Sequence, residues 1–173
     1  MNIDLTSDVG LFERRRAVFS PCRRYRYLLE SVWDPGAGIV SFVMLNPSTA
    51  DETDVDPTNV RCRGFVERWG LGGLRFVNLF AWRATYPPDM IAAAEPVGPE
   101  NDAAILDACR GAAMTVCAWG NDGAHRGRDR HVVRLLTDAG IALHALRING
   151  SGAPAHPLYL PYGLTPEPWE AAP

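Results

Sequence analysis

Asn46, Pro47 and Ser48 follow directly on the apolar run IVSFVML (39–45), and Asp51, Glu52, Asp54 and Asp56 come just after them. An amide at the end of a buried strand can hold a water or a substrate edge without introducing charge, and the proline stiffens the turn that carries it. The acids suggest a second chemistry, because Mg²⁺ favours a few carboxylates in octahedral geometry. Their spacing lacks the glycine and distal glutamate of a calcium loop. Asp56-Pro57 has the form of an N-cap followed by the first helical position, which assigns one acid to a helix start. Glu52 and Asp54 read as solvated loop residues, and Asp51 stays a catalytic candidate. A carboxylate-metal hydrolase using Asp51, Asp54 and Asp56 is the weaker alternative. Ser48 lacks a G-x-S-x-G surround, so it is read as a capping or substrate-binding hydroxyl, not a nucleophile.

Three further stretches carry polar groups where the pattern is otherwise apolar. Asn78 lies inside RFVNLF, and a buried amide must be met either by neighbouring backbone or by a ligand. Trp82 and Arg83 follow it and could stack on or clamp a base or phosphate. Trp119-Gly120 ends another apolar run, and Gly120 with Gly123 precedes a helix, which suits close approach of an anion. Neither the Walker lysine nor G-x-G-x-x-G spacing is present. Arg126 and Arg128 open that helix and are candidate nucleic-acid contacts. His156, between prolines in APAHPLYLP, could donate to a developing anion or act as acid or base. His125 and His131 read as surface residues, and His144 as a core histidine with its hydrogen bond satisfied.

The elements that must position these groups are legible from the apolar pattern. At 173 residues, 47% hydrophobic and 21% charged, the chain fits one soluble domain, 1–173, with its core at about 25–161. No apolar run is long enough to span a bilayer, and the amino terminus lacks the apolar region of a secretory signal, so a cytoplasmic location is expected. The four cysteines have no C-x-x-C spacing and read as small buried hydrophobes. All 17 basic residues are arginine. No lysine is present to form a Schiff base, which excludes lysine-dependent lyase, aldolase and pyridoxal chemistry. No cofactor is expected.

YRYLLESVW (25–33) reads as a strand, DPGAG (34–38) as a turn, and 39–45 as a strand buried on both faces, the two strands forming an antiparallel hairpin. A helix follows from Asp56-Pro57 to Gly70, with Val60, Phe65, Val66 and Trp69 on its apolar face. Further strands are expected at 74–82, 114–120 and 141–148, with helices near 96–112 and 122–140. This alternation predicts an α/β fold: a three-layer α/β/α sandwich with a mainly parallel central sheet of about four strands, plus an N-terminal β-hairpin. Ligands of such sheets sit beyond the carboxyl ends of the strands. That rule selects the loops after Leu45, Phe80 and Trp119 and the Pro-rich tail, which are the stretches that hold the polar groups above.

From about Tyr25 to Pro161 the chain resembles the bacterial and phage family called domain of unknown function 1643, through MLNPSTAD with DPT, VNLFAWRAT, PVGPENDA, AWG and HPLYLP. More distantly, the order of motifs is similar to the uracil-DNA glycosylase superfamily. That resemblance implies a uracil-DNA glycosylase-like fold, with Asn46 positioning the hydrolytic water and Asn78 reading the base. It also places Trp119-Gly120 in the third motif and His156 at the departing base's oxygen. Leu45 and Ser48 replace glycines of the first motif, and Tyr159 and Leu160 replace small polar residues of the last. The implied activity is hydrolysis of an N-glycosidic bond in a nucleobase-containing substrate, DNA among the options, without a lysine-dependent lyase step. A nucleobase- or DNA-binding module without turnover is the alternative.

Overall fold

The amino-terminal segment interleaves acids and arginines with apolar residues, and it forms two strands. In this computed structural model, which describes residues 1–9, 13–49 and 56–171, β1 (Ile3–Val9) pairs antiparallel with β2 (Glu13–Phe19). β3 (Arg26–Val32) continues antiparallel on β2. There follow β4 (Ile39–Met44), α1 (Pro57–Arg68), β5 (Gly73–Asn78), α2 (Pro87–Ala92), α3 (Asn101–Arg110), β6 (Met114–Cys117), α4 (Arg128–Asp138), β7 (Leu143–Ala145) and the short β8 (Glu167–Pro168).

The eight strands among the described residues form one sheet in the order β1-β2-β3-β5-β4-β6-β7-β8. The pairings β5–β4, β4–β6 and β6–β7 are parallel, and β1–β2, β2–β3, β3–β5 and β7–β8 are antiparallel. The expected mainly parallel sheet of about four strands is thereby corrected. Continuous apolar runs mark only strands covered on both faces. β1 and β2 escape that criterion because their exposed positions carry cross-strand charge, such as Arg16 donating to Asp4 at 2.7 Å.

The expected hairpin of 25–33 with 39–45 is corrected too. β3 and β4 do run antiparallel to each other, but β5 lies between them. Their connector crosses the start of β5. The amides of Trp33 and Asp34 both donate to the Gly72 carbonyl, at 2.9 and 2.8 Å. A Cβ on Gly72 would lie 1.8 Å from the Asp34 carbonyl oxygen, so only glycine admits this crossing.

Helices cover both faces of the sheet. Val40, Phe42 and Met44 of β4 pack with Cys62, Phe65 and Val66 of α1. Val43 and Leu45, pointing the other way as strand alternation requires, pack with Ile105, Ala108 and Cys109 of α3 and Val132 and Leu136 of α4. Val60, expected on the buried face of α1, is half exposed, and Cys62 takes its place inside. Cys22 is exposed, contrary to the reading of all four cysteines as buried; the other three are. Among the described residues no helix is long and apolar enough to cross a membrane.

Candidate functional site

The carboxyl ends of β4, β5 and β6 open onto a cleft of about 690 Å³, into which the start of α1 and the carboxyl-terminal tail also project. Asn46 and Ser48 line it from the loop after β4, Asn78 from the last position of β5, Trp119 from just after β6, and His156 from the tail. Five of the residues singled out by sequence therefore meet in one place. Trp82, Arg83, Gly120, Arg126 and Arg128 are not among the residues lining the cleft.

Asn46 is fixed by its own nitrogen. Nδ2 donates to the Pro47 carbonyl at 3.1 Å and to the Ala84 carbonyl at 2.9 Å, so the group left for a ligand is the acceptor Oδ1. Pro47 contributes backbone: its carbonyl also accepts from the Ala84 amide at 2.9 Å. The loops after β4 and β5 are thus tied together twice, and the hydroxyls of Thr49 and Thr85 join them again at 2.6 Å.

Asn78 is 4% exposed, and its side-chain amide makes no hydrogen bond to any described residue. Its amide faces the cleft and is left free to pair with a ligand there. Its backbone, in contrast, is firmly held. Leu79 N donates to the Met44 carbonyl at 2.9 Å, continuing the parallel ladder, and Asn101 Nδ2 donates to the Asn78 carbonyl at 2.8 Å.

Asp56 caps α1 as its sequence signature requires. Oδ1 accepts from the Thr58 amide at 2.7 Å, Pro57 occupies the first turn, and Ser48 Oγ donates to Oδ2 at 3.2 Å. The cap lines the cleft as well, so one carboxylate and the positive end of a 12-residue helix meet there. His156 starts a 3-10 turn (Pro157–Tyr159) that packs on α1. Its Nδ1 accepts from the Leu158 amide at 3.3 Å, so the neutral ring carries its proton on Nε2 and offers a donor. His156 keeps an exposed edge, but the atoms packed around the rest of the imidazole push it below its ordinary pKa, and the Asp56 charge opposes that shift.

The tail that carries His156 is locked to α1. Tyr162 lies between the guanidinium groups of Arg61 and Arg68, 3.8 and 4.0 Å from its ring centre, and Arg61 also donates to the Leu160 carbonyl. A Cβ on Gly64 would come within 2.7 Å of the Tyr162 ring, so the bare backbone at Gly64 makes the seat.

The remaining candidates have structural partners. Trp82 packs edge-on against Tyr25 at 5.7 Å. Arg83 donates to the Thr49 carbonyl at 2.8 Å and to the Arg23 carbonyl at 3.2 Å, bracing the loop beside Asn46. Gly120 donates to the Pro154 carbonyl at 2.9 Å, which ties the tail to the end of β6. Arg126 is exposed and donates to the carbonyls of Ala94 and Ala93 behind α2. Arg128 is 6% exposed and turned inward, with Nε donating to the Leu79 carbonyl at 2.7 Å. Of the other histidines, His131 is exposed and bonded to Asp102, His125 is half-buried against Phe80, and His144 Nδ1 meets the Thr115 carbonyl at 3.2 Å. Asp51, Glu52 and Asp54 lie outside the described residues. Among the described ones, no three His, Cys, Asp or Glu side chains gather closely enough to hold a metal ion.

Sequence reasoning missed Arg26, Thr58 and Asn59, which also line the cleft. Arg26 had a signal, being a charged residue between two tyrosines at the start of a strand. It is 6% exposed and reaches the cleft because β3 pairs with β5.

The family model described as "Protein of unknown function (DUF1643)" matches residues 26–158. No curated protein and no solved structure matches the chain.

Proposed function

We propose a function for this chain, which belongs to the DUF1643 family of proteins of unknown function: the cleft binds a nucleobase and hydrolyses the N-glycosidic bond that joins it to its sugar. The observation that carries this reading is the convergence of Asn46, Asn78 and His156, from the loop after β4, the end of β5 and the tail, on one cleft at the carboxyl ends of parallel strands. The similarity of LNPS, VNLF, AWG and HPLYL to the motifs of uracil-DNA glycosylases supports the same assignment.

The chemistry follows from what each group has left to offer. Asn78 pairs with the edge of the base through its unengaged amide. Asn46 Oδ1 accepts from a water and aims its oxygen at the anomeric carbon. As the C–N bond breaks, its electron pair stays with the base, and positive charge spreads over the sugar near the Asp56 carboxylate. His156 donates from Nε2 to the oxygen of the departing base, where negative charge develops. Water supplies a hydroxyl to the sugar and a proton to the base.

The test is chromatographic detection of free base released from a panel of nucleosides and single- and double-stranded oligonucleotides. Asn46→Ala and His156→Ala should each lower release on the order of 10²-fold with the fold intact. Release that survives both substitutions, or no release from any substrate, overturns hydrolysis. Saturable base binding without release would reassign the cleft as a recogniser of bases.

A further inference from the structure

Two helices begin without a side-chain N-cap, although each has an acid in its first turn, Asp102 in α3 and Asp129 in α4. α3 has Glu100 at its N-cap and α4 has Gly127, and neither makes a side-chain capping bond. Asparagine is a strong capping residue, yet Asn101 stands one position into α3 and is fully buried, directed at the sheet. Its Nδ2 donates to the Asn78 carbonyl at 2.8 Å and to the Leu79 carbonyl at 3.0 Å. The first residue of α4 is Arg128, a cation at the positive end of a helix dipole, where it is disfavoured. Its Nε donates to the same Leu79 carbonyl at 2.7 Å. Asp102 balances the charge at 2.6 Å and also meets His131 at 2.8 Å.

All these bonds converge on the point where β5 leaves the sheet. Asn78 is the last β5 residue in the ladder with β4, so its carbonyl and that of Leu79 turn into the apolar cluster between sheet and helices. Buried carbonyls must find donors. Any small donor would satisfy that need; a buried guanidinium is a costly one, because its desolvation offsets what the bond gains. What the arrangement does provide is direction: two successive carbonyls are held by donors from two helices on one face of the sheet.

We propose that Asn101 and Arg128, the latter oriented by Asp102, are positioning residues for Asn78. They fix the backbone at the exit of β5 and so hold its side-chain amide in the cleft in one orientation. This rests on the reading of Asn78 as the group that meets the base, but its first test needs no ligand. The side-chain NH₂ of Asn78 gives a pair of ¹H–¹⁵N resonances, identified by their loss in Asn78→Leu. In the wild-type protein the pair should be single and well dispersed.

Arg128→Met combined with Asp102→Asn removes the ion pair without stranding a charge, and Arg128→Lys keeps the charge but loses the planar fork. In either variant, folded as judged by its other resonances, the Asn78 pair should broaden or split while amides of β6 and β7 stay in place. Unchanged Asn78 resonances in both variants would overturn the proposal. In parallel, free uracil, cytosine, adenine and guanine are titrated. Those that bind wild type should bind the variants at least tenfold more weakly. If none binds wild type, the nucleobase reading fails, and the resonances still decide whether Arg128 positions Asn78.

Discussion

Replacing Glu13 with glutamine should remove a large part of the protein's sensitivity to acid. Glu13 sits at the start of β2 with its side chain 15% exposed, and it joins three elements. It accepts from Arg63 Nη1 of α1 at 2.8 Å, Ser31 Oγ of β3 at 2.7 Å and Arg15 Nε of its own strand at 2.9 Å. Burial alone would raise its pKa; the bonds from Arg63, Ser31 and Arg15, with the Arg63 charge, overcome this and lower it from 4.5 to about 2. A carboxyl depressed on folding adds stability that is complete above its unfolded pKa and disappears as pH falls through its folded one. The window is therefore pH 4.5 down to about 2, and the contribution is roughly 3 kcal/mol.

Urea unfolding followed by tryptophan fluorescence at several pH values from 7 to 2.5 measures it. Wild type should exceed Glu13→Gln by roughly 2–3 kcal/mol at neutral pH, and the gap should shrink steadily below pH 4.5. Asp4 and Asp102 also titrate below the ordinary range, held down chiefly by Arg16 and by Arg128 with His131. They are common to both proteins and cancel in the difference. A gap that stays constant between pH 5 and 2.5 would refute the reasoning, since it would mean Glu13 stabilises without its charge.

Other outcomes follow from the cleft and its supports. Asn78→Leu should leave stability unchanged or raise it by up to about 1 kcal/mol, because the amide it removes has no partner among the described residues. A thermal melt showing a loss above about 2 kcal/mol would contradict that. Because burial lowers the pKa of His156 from 6.5, the ring stays neutral into mildly acidic solution, so the acid limb of base release should lie below pH 6.5. Asp56→Asn, which removes the opposing charge, should move it lower still, and a limb at or above 6.5 in wild type would count against the assignment. Gly64→Ala should cost about 1–3 kcal/mol by pushing Tyr162 from its seat. Calorimetry of the same change in a Tyr162→Ala background should find most of that cost gone.

The parallel centre of the sheet was legible because β4, β5 and β6 are covered on both faces and so read as near-continuous apolar runs. Asp56-Pro57 announced the start of α1 for a local reason, a capping acid before a proline with its fixed backbone angle. The cleft followed from the rule that parallel sheets bind at their carboxyl ends, which brought Asn46, Asn78 and His156 together without knowledge of any contact. Pairing between distant segments could not be read. ERRRAVF looks like a charged patch until Arg63 of α1 and Glu13 are known to meet, and Arg26 belongs to the cleft only through the antiparallel pairing of β3 with β5. Arg128 was misleading for a related reason. A basic helix start suggests a surface for phosphate, and nothing local shows that the side chain turns inward to a carbonyl 49 residues away.

The position of β5 between β3 and β4 also bears on how the chain is made. Translation delivers β3 and then β4, antiparallel and joined by a short connector, while β5 is still inside the ribosome. The two finished strands lie about 10 Å apart, two interstrand spacings, with the place between them empty until residue 78 emerges. Pairing β3 directly with β4 would be the quickest move for the nascent chain and the wrong one, since it shuts out the strand that ends in Asn78. Gly72, where a Cβ would lie 1.8 Å from the Asp34 carbonyl oxygen, is what lets the late strand enter beneath the connector.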